Sequence, residues 1–176
     1  MIKFAKVVNQ ETKQCEVGTG TNTEFYKSIG MEEMEVEQAY DGQWYLKGYA
    51  PTQPLEEIKA EKVAEMKVER DKIQELPIEY NGKPFDYNKE SLQKLNEAKD
   101  CLEGTEDKQI WICADNSLTY LNYNDIMAIK RLGKERSNDV HIQYAKLKYL
   151  IEMAKTAEEV EAITFETDTS TIPLEV

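Results

Sequence analysis

The first 50 residues alternate apolar and polar side chains in the period-two pattern of half-buried β-strands. The alternation predicts four strands, at residues 2–8, 13–17, 33–38 and 43–49. Helix formers interrupt it at 24–29, where Asn22 or Thr23 can cap a short helix. Asp41-Gly42, between the last two strands, tolerates the positive φ angles of a type I′ hairpin turn. The pattern therefore predicts a four-strand antiparallel meander with one helical insert.

The pattern changes after Pro51, and Pro54 suits the first turn of a helix. Residues 55–76 contain no glycine or proline and are mostly good helix formers, which predicts a long helix. Its apolar positions form only a loose stripe, and a strict heptad register would place Lys59 and Arg70 on the seam. We therefore expect a spacer or a partly covered connecting helix rather than a self-sufficient coiled coil.

The second half of the chain contains two further turn signals. Asn81-Gly82, the strongest short-range signal for a type I′ turn, lies between two short strand-like runs. Asp115-Asn116 lies in the same way between two more. The sequence therefore predicts two additional hairpins.

Helical periodicity accompanies these hairpins. Apolar residues at spacings of three and four, together with one capping-box sequence, predict helices at residues 89–103, 125–155 and 157–162. Asn88 and Asn124 are the expected caps of the first two, and Thr156 is the expected cap of the third. Gly133 is a position where the long helix can bend or break.

These elements predict an α+β protein with a β meander at its N-terminus. The expected division is a β module, a connecting helix, a C-terminal domain of hairpins and helices, and an acidic tail, at residues 1–50, 54–76, 77–165 and 166–176. Residues 163–167 alternate like a last strand. Residues 156–176 carry 6 acidic groups and no basic one, which is half of the net charge of −12.

Charge and composition narrow the classes of partner. With 22 basic against 34 acidic residues, nucleic acid and anionic membranes are not expected as partners, because both select for Lys and Arg. No apolar run approaches the ~18 residues of a membrane helix, and the N-terminus does not resemble a signal peptide. Three cysteines without C-x-x-C spacing indicate reduced thiols. We therefore expect a soluble protein that is made in the cytosol.

A search for catalytic motifs finds only fragments. Gly18-Thr19-Gly20 lacks the third glycine of a phosphate-binding loop, and Tyr144 and Lys148 have reductase-like spacing without a nucleotide site. A single histidine, His141, excludes sites that need two. The basic strip Lys130, Arg131, Lys134 and Arg136 has the ordinary interpretation of a polar helix face. We expect no catalytic residue, no metal site and no cofactor.

The N-terminal module is rich in aromatic residues, which suggests an interaction surface. The candidate interface is formed by Phe25, Tyr26, Tyr40, Trp44, Tyr45 and Tyr49. These are more rings than one face of a small sheet can bury, so some, Tyr45 and Tyr49 among them, should point outward. The alternative is that Trp44 and Phe25 are core residues and the tyrosines a scattered rim. An open meander would also leave an edge strand free to pair with a partner.

Two stretches carry a recognisable pattern of packing and turn residues. The first comprises Lys3 to Asn9, Gly18 to Asn22, Phe25-Tyr26, Ile29-Gly30-Met31, Asp41-Gly42 and Trp44-Tyr45-Leu46. The second comprises Glu69-Arg70-Asp71, Ile78, Tyr80 to Lys83, Phe85-Asp86, Ser91, Leu95 to Ala98, Trp111, Asp115-Asn116, Thr156, Glu158-Glu159 and Ile163. The first resembles the small N-terminal β module of fibre-associated proteins from Gram-positive phages. The second is similar to an uncharacterised C-terminal domain of proteins encoded in phage tail-fibre regions.

The resemblance implies a non-enzymatic component of a phage tail-fibre or baseplate module. It also implies synthesis in the host cytoplasm, and it leaves open a structural adaptor incorporated in the virion tail and an assembly chaperone of the fibre. The implied partner is a tail-fibre or baseplate protein, with a homo-oligomer possible within a symmetric particle. Two other classes remain as alternatives: an acidic DNA mimic that inhibits a DNA-binding enzyme, and a small enzyme without a recognisable motif.

Overall fold

The computed structural model describes residues 1–104 and 106–173, and these form an α+β protein, as the sequence predicts. The chain divides into two compact units. The first is Met1–Glu57, and the second begins at Ile58.

The first unit is a closed four-strand barrel. Its elements are β1 (Ile2–Val7), β2 (Gln14–Val17), α1 (Thr23–Ser28), β3 (Glu32–Gln38) and β4 (Trp44–Leu46). The strands are adjacent in the order β1-β2-β4-β3, and β3 closes onto β1 through pairs such as Phe4 and Glu33. The predicted meander order is wrong, because the connection that contains α1 carries the chain back to β1 instead of onward from β2. Closure also removes the free edge strand that a meander would leave.

The barrel interior is small and apolar. Ala5, Cys15 and Val36 are buried at its centre. Partly buried side chains pack around them: Val7, Val17, Met34, Trp44 and Leu46. Burial raises the pKa of the Cys15 thiol, so this cysteine is a small core residue rather than a nucleophile.

The hairpin turns agree with the sequence in one case and differ in another. Asn81 and Gly82 have φ angles of 50° and 72°, so this turn has the two left-handed residues of the predicted type I′. At Asp41-Gly42 only the glycine is left-handed, with a φ of 76°, so the predicted type I′ turn is wrong there. The Gly42 N–H instead donates to the carbonyl of Ala39 at 3.0 Å, so the hydrogen-bonded β-turn spans residues 39–42.

The described part of the second unit contains two hairpins and four helices, the first of which begins three residues before the boundary at Ile58. They are α2 (Leu55–Glu75), β5 (Ile78–Tyr80), β6 (Lys83–Phe85), α3 (Lys89–Asp100), β7 (Gln109–Ile112), β8 (Leu118–Leu121), α4 (Tyr123–Met153) and α5 (Ala157–Glu161). The core combines both hairpins with α3 and the start of α4: Ile78, Phe85, Leu95, Ala98, Cys113, Leu121, Ile126 and Ile129. The start of the long helix α4 is therefore part of the core of the second unit.

The cap of α4 is Asn122, not the predicted Asn124. Asn122 Oδ1 accepts from the Asp125 N–H at 3.0 Å, and Asp125 Oδ2 accepts from the Asn122 N–H at 3.0 Å. This reciprocal pair satisfies two donors at once, which a cap at Asn124 would not do. Asn88 and Thr156 cap α3 and α5 as predicted.

The predicted connecting helix packs along α4. Lys59 Nζ donates to the Glu152 carbonyl at 2.9 Å, and the Arg136 guanidinium donates to the Gln74 carbonyl at 2.8 Å. The start of α2 thus contacts the end of α4, and the end of α2 contacts the middle of α4, so the two helices run antiparallel. Met66 is buried on the same helix. The helix therefore belongs to the second unit rather than acting as a spacer, and its loose stripe is the covered face.

A contact with Tyr87 explains the glycine in the middle of α4. The helix continues unbroken through Gly133, where the sequence allowed a bend. The Tyr87 ring lies so close to Gly133 that any Cβ there would overlap it. The Tyr87 hydroxyl donates to the Lys130 carbonyl at 3.2 Å, and the Arg136 guanidinium lies 5.5 Å from the ring centroid. Glycine is required here for close approach rather than for flexibility.

The segment after α5 packs on α4 instead of forming the predicted strand. Residues 164–167 form a turn, and Gln143 Nε2 donates to the carbonyls of Phe165 and Thr167 at 3.0 and 2.9 Å. Thr169 is buried, and its carbonyl accepts from Lys146 Nζ at 3.1 Å. The strand is wrong because α4 side chains, not a second strand, satisfy this backbone. The last three residues of the predicted acidic tail, 174–176, lie outside the described residues.

The α2–α4 pairing predicts where the chain can be cut. A 58–173 fragment should unfold in one cooperative transition, whereas a 77–173 fragment should lose about 2–5 kcal/mol, as for the loss of a large buried side chain. Urea denaturation followed by Trp111 fluorescence measures both. Equal stability of the two fragments would return α2 to the role of a connector.

The contact between Tyr87 and Gly133 predicts an unusual helix substitution. Ala is normally favoured over Gly in a helix by up to about 1 kcal/mol, but overpacking against the ring costs about 1–3 kcal/mol. Gly133→Ala should therefore lower the free energy of unfolding. Gly104→Ala, which meets open space, is the matched control and should change it by less than about 0.5 kcal/mol. A stabilised Gly133→Ala variant would contradict the close approach.

Candidate interaction surfaces

The structure divides the predicted aromatic interface of the first unit. Tyr45 is only 7% exposed, and its hydroxyl donates to Asp41 Oδ2 at 2.8 Å. That hydrogen bond, with a smaller contribution from burial, raises the pKa of Tyr45. The expectation that Tyr45 points outward is therefore wrong, because the turn at Asp41 holds its ring in the unit.

Two more rings of this group have partners within the unit. Trp44 packs against the barrel core, with Lys3 Nζ 4.1 Å from its ring centroid. The Tyr26 ring stacks on Phe4 at 6.0 Å, and its hydroxyl accepts from the Gly20 N–H at 2.6 Å. The loop at Gly18-Thr19-Gly20, which has part of a phosphate-binding pattern, therefore hydrogen-bonds to Tyr26 of the same unit.

The remaining members, Phe25, Tyr40 and Tyr49, are exposed. The alternative interpretation placed Phe25 in the core, and this part of it is wrong because the Phe25 side chain is exposed. Binding of a partner by these three rings stays a prediction.

A second apolar surface lies on the β7–β8 hairpin. Ile110 pairs with Tyr120 and Ile112 with Leu118, and these four side chains are 58–64% exposed. We call these four residues the hairpin face. The opposite side of the same hairpin packs Trp111 and the buried Leu121 against the core. Apolar side chains therefore occupy both sides of a two-stranded sheet.

Sequence reasoning missed the hairpin face, although a signal was present. An antiparallel strand with one wet side alternates apolar and polar residues, whereas residues 110–114 are uninterruptedly apolar. Such a run is typical of a strand covered on both sides. In this structure one of those sides is open.

A groove adjoins the hairpin. It has a volume of about 670 Å³ and lies between β7 and α3. Every residue of β7 lines it and no residue of β8 does; the α3 side is formed by Ser91, Lys94, Glu97 and Ala98. Buried Ala98 and Cys113 form part of its lining. We call this space the β7–α3 groove.

The catalytic fragments of the sequence have structural partners. Tyr144 lies between the Arg70 guanidinium, 4.9 Å from its ring centroid, and Lys148 Nζ at 6.0 Å. His141 Nδ1 lies 2.7 Å from the Gln74 side-chain amide, in the α2–α4 contact. Among residues 1–104 and 106–173, no group of His, Cys, Asp and Glu side chains is arranged to hold a metal ion. None of the helices described is long and apolar enough to cross a membrane.

The basic strip on α4 is used within the second unit. Lys130 Nζ donates to Asn96 Oδ1, and Arg131 forms an ion pair with Glu135 at 3.6 Å. Arg136 donates to the carbonyls of Gln74 and Pro77. These contacts agree with a polar helix face that ties neighbouring elements to α4.

The difference between Tyr45 and Tyr49 gives a direct test of the aromatic group. Tyr45→Ala should lower the melting temperature of the first unit by more than about 5 °C, because it removes a buried ring and its hydrogen bond. Tyr49→Ala should change it by less than about 2 °C, since exposed sites cost little. Trp44 fluorescence in a Trp111→Phe background reports on this unit alone. Equal melting temperatures would place the Tyr45 ring in solvent.

Comparison with protein families identifies the family of this chain. No curated protein and no solved structure matches the chain significantly. The family model described as a domain of unknown function, DUF4376, matches residues 57–167. The match covers more than half of the chain. It includes α2 from Glu57 onward, both hairpins of the second unit, and α3, α4 and α5. The chain therefore belongs to the DUF4376 family.

Proposed function

We propose that the chain is a non-catalytic, protein-binding component of a phage tail-fibre or baseplate module, acting as an adaptor for the fibre or as its assembly chaperone. The observation that carries the proposal is the hairpin face. Four large apolar side chains stand together in solvent on a sheet whose other side is already packed. Contiguous exposed apolar groups of this kind are typical of protein–protein contacts.

The chemistry of the hairpin face favours a protein partner over the other classes. A net charge of −12 disfavours nucleic acid, which binds Lys and Arg. An acidic DNA mimic has no need of exposed isoleucine and leucine, so the apolar surface weighs against that alternative. An aromatic residue beside aliphatic ones, here Tyr120 beside Ile110, is a composition enriched in interface centres.

The tail-fibre context is supported by the resemblance of the two sequence stretches. The second stretch, from Glu69 to Ile163, falls inside the family match at residues 57–167. The first falls in the barrel unit. Both stretches consist of turn and packing residues, so they support a class of particle and transfer no binding residue.

The test is binding to the tail-fibre and baseplate proteins encoded in the same phage genome. Leu118→Ser should weaken association by about 1–3 kcal/mol if this residue is an anchor of the contact. Because Leu118 is exposed, the free energy of unfolding should change by less than about 0.5 kcal/mol. Val68→Ser, at an exposed apolar residue of α2, is the matched control and should bind normally.

Two outcomes would contradict the proposal. Binding lost in Tyr49→Ala but kept in Leu118→Ser would move the contact to the first unit. No association of the wild-type chain with any fibre or baseplate protein would remove the tail-fibre role.

A further inference from the structure

The backbone of β7 has a free hydrogen-bonding edge. The Cys113 N–H donates to the Ser117 carbonyl at 2.9 Å, which makes this pair the hydrogen-bonded end of the ladder. Antiparallel pairs alternate between bonded and non-bonded. In the registers Ile112–Leu118 and Ile110–Tyr120, the amide and carbonyl groups therefore point away from the partner strand. Ile110 and Ile112 present theirs on the outer side of β7.

The two outer edges of the hairpin differ in what covers them. On the β8 side, Lys83 Nζ donates to the Leu118 carbonyl at 2.6 Å. On the β7 side, no backbone group of Ile110 or Ile112 bonds to another element within residues 1–104 and 106–173. That edge opens into the β7–α3 groove, because every residue of β7 lines the groove. Unpaired edge groups of this kind are a template for another strand.

The groove has the form of a strand-binding site. One wall is a free strand edge, and the other is a helix whose buried Ala98 forms part of the lining. Its volume of about 670 Å³ lies within the range of ligand sites. Peptide-binding domains that work by strand addition take their affinity from main-chain hydrogen bonds and their specificity from alternate side chains.

We propose that the β7–α3 groove binds an extended peptide segment of a partner protein, which adds a third strand to β7 and carries apolar residues alternating with basic ones. The inference rests on the proposed protein-binding function and names its mode and the chemistry of the segment. Alternate apolar side chains of the segment extend the hairpin face beside Ile110 and Ile112. The side chains between them face the polar wall of the groove.

Charge determines the preference for basic residues. Lys94, the cation at the groove, pairs with Glu90 at 2.8 Å. Asp86 and Glu97 contribute carboxylates to the same lining, and the chain as a whole has a net charge of −12. A basic segment is attracted by this field, and an acidic one is repelled.

A second copy of this chain is a poorer occupant. It carries the same net charge of −12, so two copies repel. The hairpin face supplies four side chains, whereas a stable standard-size interface uses roughly 20–30 residues a side. A short added strand needs less area, because main-chain hydrogen bonds contribute to its affinity.

The test uses the full chain and a fluorescein-labelled octapeptide of alternating valine and lysine. Binding is measured by fluorescence anisotropy. Four comparison peptides are used. They are the valine–glutamate analogue, a block peptide with all valines before all lysines, and two half-methylated forms, one N-methylated at the valines and the other at the lysines. We expect the alternating basic peptide to bind more tightly than the acidic and block peptides. One of the two half-methylated forms should lose about tenfold in affinity, the effect of one or two hydrogen bonds.

Two protein variants separate the backbone from the side chain. Ile112→Pro removes an outward N–H, which an edge strand tolerates, and should weaken peptide binding about tenfold. Ile112→Ala keeps the N–H and is the matched control, with a smaller loss expected. Trp111 fluorescence and the melting temperature check that the hairpin remains folded. If Ile112→Pro does not fold, the half-methylated peptides on the wild-type chain decide the matter.

Strand addition is overturned if both half-methylated peptides bind as tightly as the unmodified one. The proposed segment chemistry is overturned if the acidic or block peptide binds equally well, or if the alternating basic peptide does not bind at millimolar concentration. These results are independent of the Leu118→Ser experiment with fibre proteins. Peptide binding can therefore fail while the hairpin face still binds its partner, and the reverse result identifies a peptide site without the tail-fibre role.

Discussion

The second unit depends on the close approach of the Tyr87 ring to the backbone of α4. Tyr87 follows β6, so its position against Gly133 fixes the first hairpin of this unit to the middle of the long helix. Arg136, one turn further along, covers the same ring and donates to the carbonyls of Gln74 and Pro77 where α2 ends. One residue without a side chain thus lets a strand, a loop and a second helix meet α4 in a single region.

Local chemistry made part of this arrangement predictable. The positive φ angles at Asn81-Gly82 and the cap at Asn88 depend on residues within four positions, and the span of α2 depends on local helix propensity. The cap of α4 could also have been predicted, although both Asn122 and Asn124 precede the same apolar stripe. Only Asn122 has Asp125 three residues later to complete the reciprocal pair.

Long-range pairing accounts for the rest. The barrel closes because β1 pairs with β3, the strand that follows α1. Alternation of apolar and polar residues within a strand does not indicate which strand pairs with it. Tyr45 and the hairpin face show the same limit in opposite directions: one ring expected in solvent is buried, and four apolar side chains of a predicted hairpin are exposed. Burial of a given side chain depends on which other element covers it. For α2 that element is α4, which lies far away in the sequence.

The antiparallel pairing of α2 with α4 also determines the order in which the chain can fold during translation. The barrel strands are complete at Leu46, whereas the contact between Lys59 and Glu152 joins residues 93 positions apart. At ribosomal rates of roughly 5–20 residues per second, about 5–19 seconds separate the synthesis of these two ends. During that interval α2 and its buried Met66 have no α4 to cover them. The nascent chain therefore presents a finished barrel followed by an unprotected helix, the state in which a chaperone would first meet it.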